Sequence, residues 1–155
     1  MIHKKFGFTL IELLTVVLIL AILTSIALPQ YRKSIYRAEA ANALINLKSL
    51  YDSAKRAYAM NSEFPSSFAS LDIKLLSDET PGNTLLSGGF RFEFVTSPNG
   101  VKGCRYPASQ ADTLCLQVLY TSGGKRDVYT CSATGKYESV CESMGTCSGG
   151  TCVIE

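Results

Sequence analysis

Residues 7–29 read GFTLIELLTVVLILAILTSIALP, and this stretch determines how the rest of the chain is organised. Residues 8–28 form a run of 21 residues in which the only ionisable side chain is Glu12. A carboxylate within such a run costs at least about 3 kcal/mol to place in hydrocarbon. Seven residues precede the run, and Lys4 and Lys5 are among them. The stretch therefore predicts a membrane-inserted helix whose acid is met by a partner.

Three kinds of segment fit part of this pattern. A secretory signal peptide would use Ser25-Ile26-Ala27 as its small-x-small cleavage site, but Glu12 and the length of the run argue against it. A plain membrane anchor explains the length, because 21 residues at about 1.5 Å each span about 30 Å. That interpretation leaves the cost of Glu12 unexplained. The third kind is a segment that is cleaved in front of the run and then retained.

The residues themselves favour the third kind. Behind a short basic leader, Gly7 is followed by Phe8-Thr9-Leu10-Ile11-Glu12 and the apolar run. This pattern resembles the N-terminal signature of type IV prepilins and the related pseudopilins. The resemblance implies that a prepilin peptidase removes residues 1–7 by cutting between Gly7 and Phe8, and that the new Phe8 amine is N-methylated. It further implies that residues 8–28 stay as the transmembrane and assembly helix.

The resemblance also suggests a partner for the acid. Cleavage leaves a cationic amine at Phe8, and in a helical filament Glu12 of one copy would meet that amine on a neighbour. At low dielectric the pair is attractive, whereas either charge alone is penalised. We therefore interpret Glu12 as the assembly contact.

The cysteines indicate which side of a membrane the rest of the chain occupies. Six of them lie between Cys104 and Cys152, and clustered, even-numbered cysteines beside a targeting segment indicate an oxidising compartment. Basic residues occur on both sides of the apolar run, so the positive-inside rule does not decide the orientation. We expect residues 29–155 to form a head outside the cytoplasm.

A second helical pattern follows the apolar run. Pro29 comes directly after it, and pilin helices characteristically carry a proline here, so we interpret Pro29 as a kink; a helix end at Leu28 is the alternative. Apolar residues then recur at steps of three and four, which predicts an amphipathic helix over residues 30–61. They are Ala40, Ala43, Leu44, Leu47, Leu50, Tyr51, Ala54, Ala57 and Tyr58.

The remaining residues predict a small antiparallel sheet. Residues 61–89 are rich in Ser, Pro, Gly and Asp and are interpreted as a loop, with a short helix near Ser66 to Leu76 capped by Ser66 or Ser67. The period then changes to two, which predicts strands over residues 90–94 and 113–121. A turn at Gly123-Gly124 leads into a third strand, residues 126–131. The predicted fold class is α+β: a long N-terminal helix on a pilin-like sheet of three to four strands, with a disulfide-rich C-terminal tail.

Six cysteines allow 15 pairings, and their order and spacing favour three local ones. These are Cys104–Cys115, Cys131–Cys141 and Cys147–Cys152. The second would close a loop like the C-terminal disulfide loop of many pilins. A zinc site is the rival, but the only histidine is His3 in the leader and no second cysteine pair has metal-ligand spacing.

Composition and motifs exclude several classes of function. The net charge of +2 gives no basic stripe for nucleic acid. The head lacks a histidine for a Cys–His nucleophile, and no phosphate-binding loop or Gly-x-Ser-x-Gly motif occurs. Calcium binding by Asp78, Glu79 and Asp127 is a minor alternative. We predict that the protein is not an enzyme and needs no cofactor or metal.

The resemblance thus implies a structural subunit of a type IV pilus. Its partners would be further copies of itself in a helical filament, the prepilin peptidase, the pilus assembly machinery and, before assembly, the inner membrane. The filament would serve adhesion, twitching motility or DNA uptake and would lie outside the cell. A pseudopilin of a type II secretion system is the alternative, although a cysteine-rich head suits an exposed fibre better. A simple membrane-anchored binding domain is a further possibility of another class.

Overall fold

The computed structural model describes residues 8–73, 78–80, 83–121 and 127–154. These residues form a long helix, an antiparallel sheet of eight strands, a short second helix, and two 3₁₀ turns at Phe68–Ser70 and Gly135–Tyr137. In chain order the helices and strands are α1 Leu10–Asn61, β1 Asp78–Thr80, β2 Thr84–Ser87, β3 Phe90–Thr96, β4 Asn99–Arg105, β5 Leu114–Leu119, β6 Val128–Ala133, α2 Glu138–Glu142, β7 Gly145–Ser148 and β8 Thr151–Ile154.

The chain divides into two compact units, one ending at Ile35 and one beginning at Tyr36. In the first unit, every residue from Leu10 to Leu28 is exposed. By length and composition alone, α1 is the helix among the described residues that could cross a membrane. It continues through Pro29, so a helix end at Leu28 is wrong. A kink at Pro29 remains a prediction.

In the second unit, the amphipathic part of α1 packs against one face of the sheet. Its most buried residues are spaced by three and four positions, as the sequence predicts, because that spacing places them on one side of the helix. They meet inward-facing side chains of β3, β4 and β5. The resulting core includes Ala40, Ala43, Leu47, Leu50, Tyr51, Phe90, Phe92, Val101, Leu114, Leu116 and Val118.

The strand order is β1-β2-β3-β4-β5-β6-β8-β7, and every neighbouring pair is antiparallel. The predicted α+β class is confirmed, with a long helix on an antiparallel sheet and a disulfide-rich C-terminal region. The predicted count of three to four strands is wrong. The strands expected over residues 90–94 and 113–121 are present as β3 and β5, but they are not neighbours, because β4 lies between them.

Strand β4 escapes prediction because two of its residues are glycines. Asn99-Gly100 resembles a turn signal, and the strand carries little of the alternating apolar pattern. The glycines are needed for close approach rather than for a turn. A Cβ at Gly103 would lie 2.5 Å from the ring of Phe92, and one at Gly100 would lie 2.2 Å from the carbonyl oxygen of Val118. The missing side chains leave space that neighbouring strands fill.

The segment expected to be a loop, residues 61–89, contains the first two strands of the sheet. Of the short helix expected near Ser66, the structure has only the 3₁₀ turn Phe68–Ser70, whose N-terminus is capped by Ser67 accepting a hydrogen bond from the Ala69 N–H at 3.3 Å. The remainder of that predicted helix, residues 74–76, lies outside the described residues.

The C-terminal region is more ordered than a tail. Helix α2 is followed by the hairpin β7–β8, and its turn is Gly149-Gly150, both with positive φ (60° and 83°). Two such residues form the tight turn that matches the twist of paired strands. The expected turn at Gly123-Gly124, and residue 126 of the third predicted strand, lie outside the described residues; the strand itself is β6, Val128–Ala133.

Candidate assembly site

The N-terminus of α1 is closed by a reciprocal pair of hydrogen bonds. The carboxylate oxygen Oε2 of Glu12 accepts from the backbone N–H of Thr9 at 2.8 Å and from the Thr9 hydroxyl at 2.7 Å. In return, the Glu12 N–H donates to the Thr9 hydroxyl oxygen at 3.3 Å. This arrangement is a capping box, which satisfies backbone donors that the first helical turn leaves unpaired.

The carboxylate is therefore held at the start of the helix by hydrogen bonds from Thr9, the residue that follows Phe8. Both hydrogen bonds fall on Oε2, and Oε1 accepts none from the described residues. Phe8 itself is 81% exposed. Gly7, the other side of the expected cleavage site, lies outside the described residues. The local geometry thus holds Glu12 next to the residue that cleavage would make the N-terminus, with one oxygen still available.

The surface behind Glu12 is apolar on all sides. Eleven large aliphatic side chains from Leu13 to Leu28 are exposed by 47–64%. The polar side chains in the segment, Thr15, Thr24 and Ser25, donate to backbone carbonyl oxygens one turn earlier on the same helix. They consequently need no water. An apolar surface of this extent has to be covered by lipid or by other protein.

In the second unit, a network around Asp127 ties the β5–β6 connection to α1. The hydroxyl of Tyr51, a fully buried residue, donates to Asp127 Oδ1 at 2.8 Å, and Lys55 Nζ lies 2.8 Å from Oδ2. Burial alone would raise the pKa of Asp127, but the hydrogen bonds from Lys55 and Tyr51 outweigh it and lower the pKa. Burial and the bond to Asp127 raise the pKa of Tyr51 well above its ordinary value.

A second network ties the segment after α1 back to the helix. The Arg56 guanidinium forms two hydrogen bonds to Asp72, at 2.7 and 2.8 Å, and the buried Ser53 hydroxyl donates to the same carboxylate. The Arg56 contact, followed by Ser53, lowers the pKa of Asp72 to about 2. Neither aspartate is a free ligand for calcium, since each accepts from a cation on α1. The side chains of Asp78 and Glu79 lie outside the described residues.

A third contact fixes the other end of the amphipathic part of α1. Arg105, the last residue of β4, forms an ion pair with Glu39. Its guanidinium also lies over the rings of Tyr137 at 5.3 Å and Tyr36 at 6.0 Å. Tyr36 and Tyr137 are in edge contact with each other, with centroids 5.0 Å apart. The helix is thereby held to the sheet at both ends.

The structure joins the six cysteines as Cys104–Cys115, Cys131–Cys141 and Cys147–Cys152. These are the pairs that order and spacing favour. The first bridges the adjacent strands β4 and β5. The second joins β6 to α2, and the third closes the β7–β8 hairpin. Among the residues described, no group of three or more His, Cys, Asp or Glu is placed to hold a metal ion.

Comparison with known proteins bears on the N-terminal stretch first. Residues 2–28 match the family described as the prokaryotic N-terminal methylation motif. Two curated relatives from Pseudomonas aeruginosa, each named fimbrial protein, are 34% identical to the chain over 93 residues. The chain thus carries an N-terminal methylation motif and is similar to fimbrial proteins. The aligned region covers 60% of this chain and 60% of each relative, so less than two thirds of the relatives' length is matched. No solved structure matches significantly.

Two sets of functional residues do not emerge from the sequence analysis. Thr9 and Glu12 stand in the spacing T-x-x-E directly before an apolar run, which is a capping-box signal, yet Glu12 was interpreted only as an assembly contact. Asp72 and Asp127 pair with cations on α1, and the sequence alone does not indicate this role. Their partners on α1 lie 16 and 72 residues away in sequence, and a separation of that size has no local pattern.

Proposed function

We propose that this chain is the structural subunit of a type IV pilus. It is inserted in the inner membrane as a prepilin, cleaved after Gly7, N-methylated at Phe8 and polymerised through residues 8–28 into a helical filament. The observation that carries the proposal is the N-terminus of α1, where one capped carboxylate stands at the start of an otherwise apolar, fully exposed helical surface.

The exposed apolar surface of residues 8–28 can be covered first by lipid and then by neighbouring copies of the chain. As a monomer the segment is long enough to be covered by lipid, since 21 residues reach about 30 Å in a helix. Neighbouring copies can replace the lipid, because helices associate in apolar surroundings through close packing and a few polar contacts. The same residues thus act as an anchor before assembly and as the filament core afterwards.

Glu12 supplies the polar contact that selects one register. In hydrocarbon its charge is costly by about 3 kcal/mol or more, and the bonds from Thr9 use only one of its oxygens. The amine that cleavage creates at Phe8 of a neighbouring copy is a cation of the right charge for the other oxygen. Assembly in the correct register then compensates two buried charges at once, whereas a shifted register leaves both uncompensated.

The disulfides support a location outside the cytoplasm for the second unit. Three disulfides join strands and helices of that unit, and such bonds persist in oxidising compartments. The head would therefore face the periplasm before assembly and the medium afterwards. The prepilin peptidase and the pilus assembly machinery are the partners that this route requires. No described feature separates adhesion, twitching motility and DNA uptake, which belong to the filament as a whole.

The proposal is tested by Glu12→Ala, with Glu63→Ala as the matched control. Glu63 is an exposed acid in the head that forms no ion pair with a described residue. We expect the Glu12 variant to be inserted and retained in the membrane but absent from the sheared extracellular fraction, and the Glu63 variant to be sheared off normally. Normal filaments from Glu12→Ala would overturn the assembly role. Filaments that never extend beyond the periplasm in the unmodified protein would instead indicate the pseudopilin alternative.

A further inference from the structure

Four of the six cysteines lie together at one end of the sheet. Cys131 on β6 is directly opposite Cys152 on β8, and Cys152 is directly opposite Cys147 on β7. Directly opposed residues of antiparallel strands have Cα atoms about 4.5–5.5 Å apart, and a disulfide spans about 4.4–6.8 Å between Cα atoms. Cys152 therefore has a cysteine within disulfide reach on each side, although it is bonded only to Cys147.

The fourth member, Cys141, completes a second possible pairing. It lies on α2, and together with Cys147 and Cys152 it lines a cavity of about 190 Å³. If Cys152 were bonded to Cys131, then Cys141 and Cys147 would be the two cysteines left, and both of these residues line this cavity. The four cysteines therefore have two possible sets of disulfides. One is Cys131–Cys141 with Cys147–Cys152, and the other is Cys131–Cys152 with Cys141–Cys147.

Access to the cluster from solvent is through a single sulfur. Cys147 is exposed, whereas Cys131, Cys141 and Cys152 are each at most 4% exposed. The remaining disulfide, Cys104–Cys115, lies on the other face of the sheet, because Cys115 alternates with the buried Leu114 and Leu116 of the core. It has no further cysteine opposite it and serves as an internal control.

We propose that these four cysteines form a thiol–disulfide exchange centre that a small external thiol opens at Cys147. The thiolate attacks Cys147 Sγ, which forms a mixed disulfide and releases Cys152 as a thiolate. Cys152 attacks Cys131 Sγ and releases Cys141 as a thiolate. Cys141 then attacks the mixed disulfide at Cys147 and expels the external thiolate. The products are Cys131–Cys152 and Cys141–Cys147; no electrons are gained or lost, and the thiol is regenerated.

Two carboxylates define the class of thiol that the centre accepts. Glu138 and Glu142, one helical turn apart on α2, line the same cavity as Cys147. Their charges repel an anionic thiol and attract a cationic one, each by about threefold in rate for charges a few ångströms apart in water. The substrates are therefore cationic or neutral small thiols, such as cysteamine, in preference to glutathione.

The exchange is measured on the full-length protein in detergent micelles, kept free of oxygen, with cysteamine as the probe. After an acid quench and alkylation, the unreduced protein is cut at Lys and Arg and then after Glu. These cuts place Cys131 in residues 127–136, Cys141 in 139–142, and both Cys147 and Cys152 in 143–155. The starting arrangement yields 127–136 joined to 139–142, with 143–155 closed on itself. The exchanged arrangement yields one species of three joined peptides.

We expect the three-peptide species to form at an initial rate proportional to the cysteamine concentration, while the peptides of Cys104 and Cys115 stay joined throughout. The proposal is overturned if 127–136 remains joined only to 139–142, whether 143–155 opens or stays closed. It is equally overturned if the Cys104–Cys115 pair exchanges at the same rate, since the reaction would then reflect general reduction.

A variant isolates the internal step without any added thiol. In Cys147→Ser, Cys152 starts as a free thiol opposite Cys131, so the free thiol should distribute between Cys152 and Cys141. Acid quench, denaturation and alkylation locate it. Alkylation found only on Cys152 would show that the internal step does not occur.

The specificity is tested separately with the double variant Glu138→Gln, Glu142→Gln. We expect the ratio of the cysteamine rate to the glutathione rate to fall by about ninefold or more, since the attraction of one thiol and the repulsion of the other are both lost. An unchanged ratio would remove the two carboxylates from the proposal.

Discussion

Replacing Tyr51 by Phe tests whether the Asp127 network holds the β5–β6 connection to α1. The ring stays in place and its burial is retained, so the change removes only the hydroxyl that donates to Asp127 Oδ1 at 2.8 Å. A hydrogen bond to a charged group contributes about 1.5–3 kcal/mol. For a chain of this size we expect the melting temperature to fall by about 5 °C.

The pH dependence of this loss follows from the pKa of Asp127. That pKa is lowered from its ordinary value of 3.8 in the folded protein. The stability contributed by the ionised carboxylate is thus present above pH 3.8 and is lost as the pH falls through the lower folded value. Without the Tyr51 hydroxyl the folded pKa lies closer to 3.8. The difference between the two proteins should therefore shrink in acid to that of a neutral hydrogen bond, about 1 kcal/mol.

The assay is thermal unfolding of the full-length protein in detergent, followed by near-ultraviolet circular dichroism, at pH 7 and at pH 2.5. Tyr106→Phe is the matched control, since Tyr106 is 43% exposed and its hydroxyl has no hydrogen-bond partner among the described residues. We expect the control to unfold like the unmodified protein. A loss for Tyr51→Phe that is absent at pH 7, or equally large at pH 2.5, would refute the reasoning.

Three further predictions concern the second unit. Leu47→Ala empties a fully buried position and should lower the free energy of unfolding by about 3 kcal/mol, against less than about 0.5 kcal/mol for the exposed Ile45→Ala; urea unfolding measures both. Gly103→Val places atoms into an aromatic ring of β3 and should cost about 1–3 kcal/mol in the same assay, with unchanged stability contradicting the packing. Arg56→Gln should raise the pKa of Asp72 from about 2 towards 3.8, which an NMR titration of the carboxyl carbon detects; no shift would contradict the assigned cause.

The parts of the fold that local pattern controls were predictable. The apolar run and the three-and-four spacing after it define α1. The first part of the helix is apolar on all sides and the second part is apolar on one side only, and both patterns are visible in the sequence. Alternating phenylalanines define β3 in the same way. The close spacing of the cysteines within each pair limits each disulfide to elements that are adjacent in the sequence, namely β4 and β5, β6 and α2, or the β7–β8 hairpin, which is why order and spacing predict the same pairs.

The parts that depend on distant residues were not predictable. Strand β4 exists because Gly103 leaves space for a ring from the neighbouring strand, and a glycine-containing stretch by itself resembles a turn. Strands β1 and β2 form one edge of the sheet, and their sequences show little alternation of apolar and polar residues. The roles of Asp72 and Asp127 depend on cations of α1 that only folding brings near. At the assembly site, the capping role of Thr9 does have a local signal, the T-x-x-E spacing directly before the apolar run.

The central claim is that residues 8–28 are exposed by a cut before Phe8 and then form the core of a filament. Mass spectrometry of the main protein band in filaments sheared from cells, after their fibrous form is verified by electron microscopy, tests it most directly. We expect a subunit that begins at Phe8, carries one extra methyl group on its amine, and retains all three disulfides. A main band that contained residues 1–7, or that began after residue 28, would contradict it.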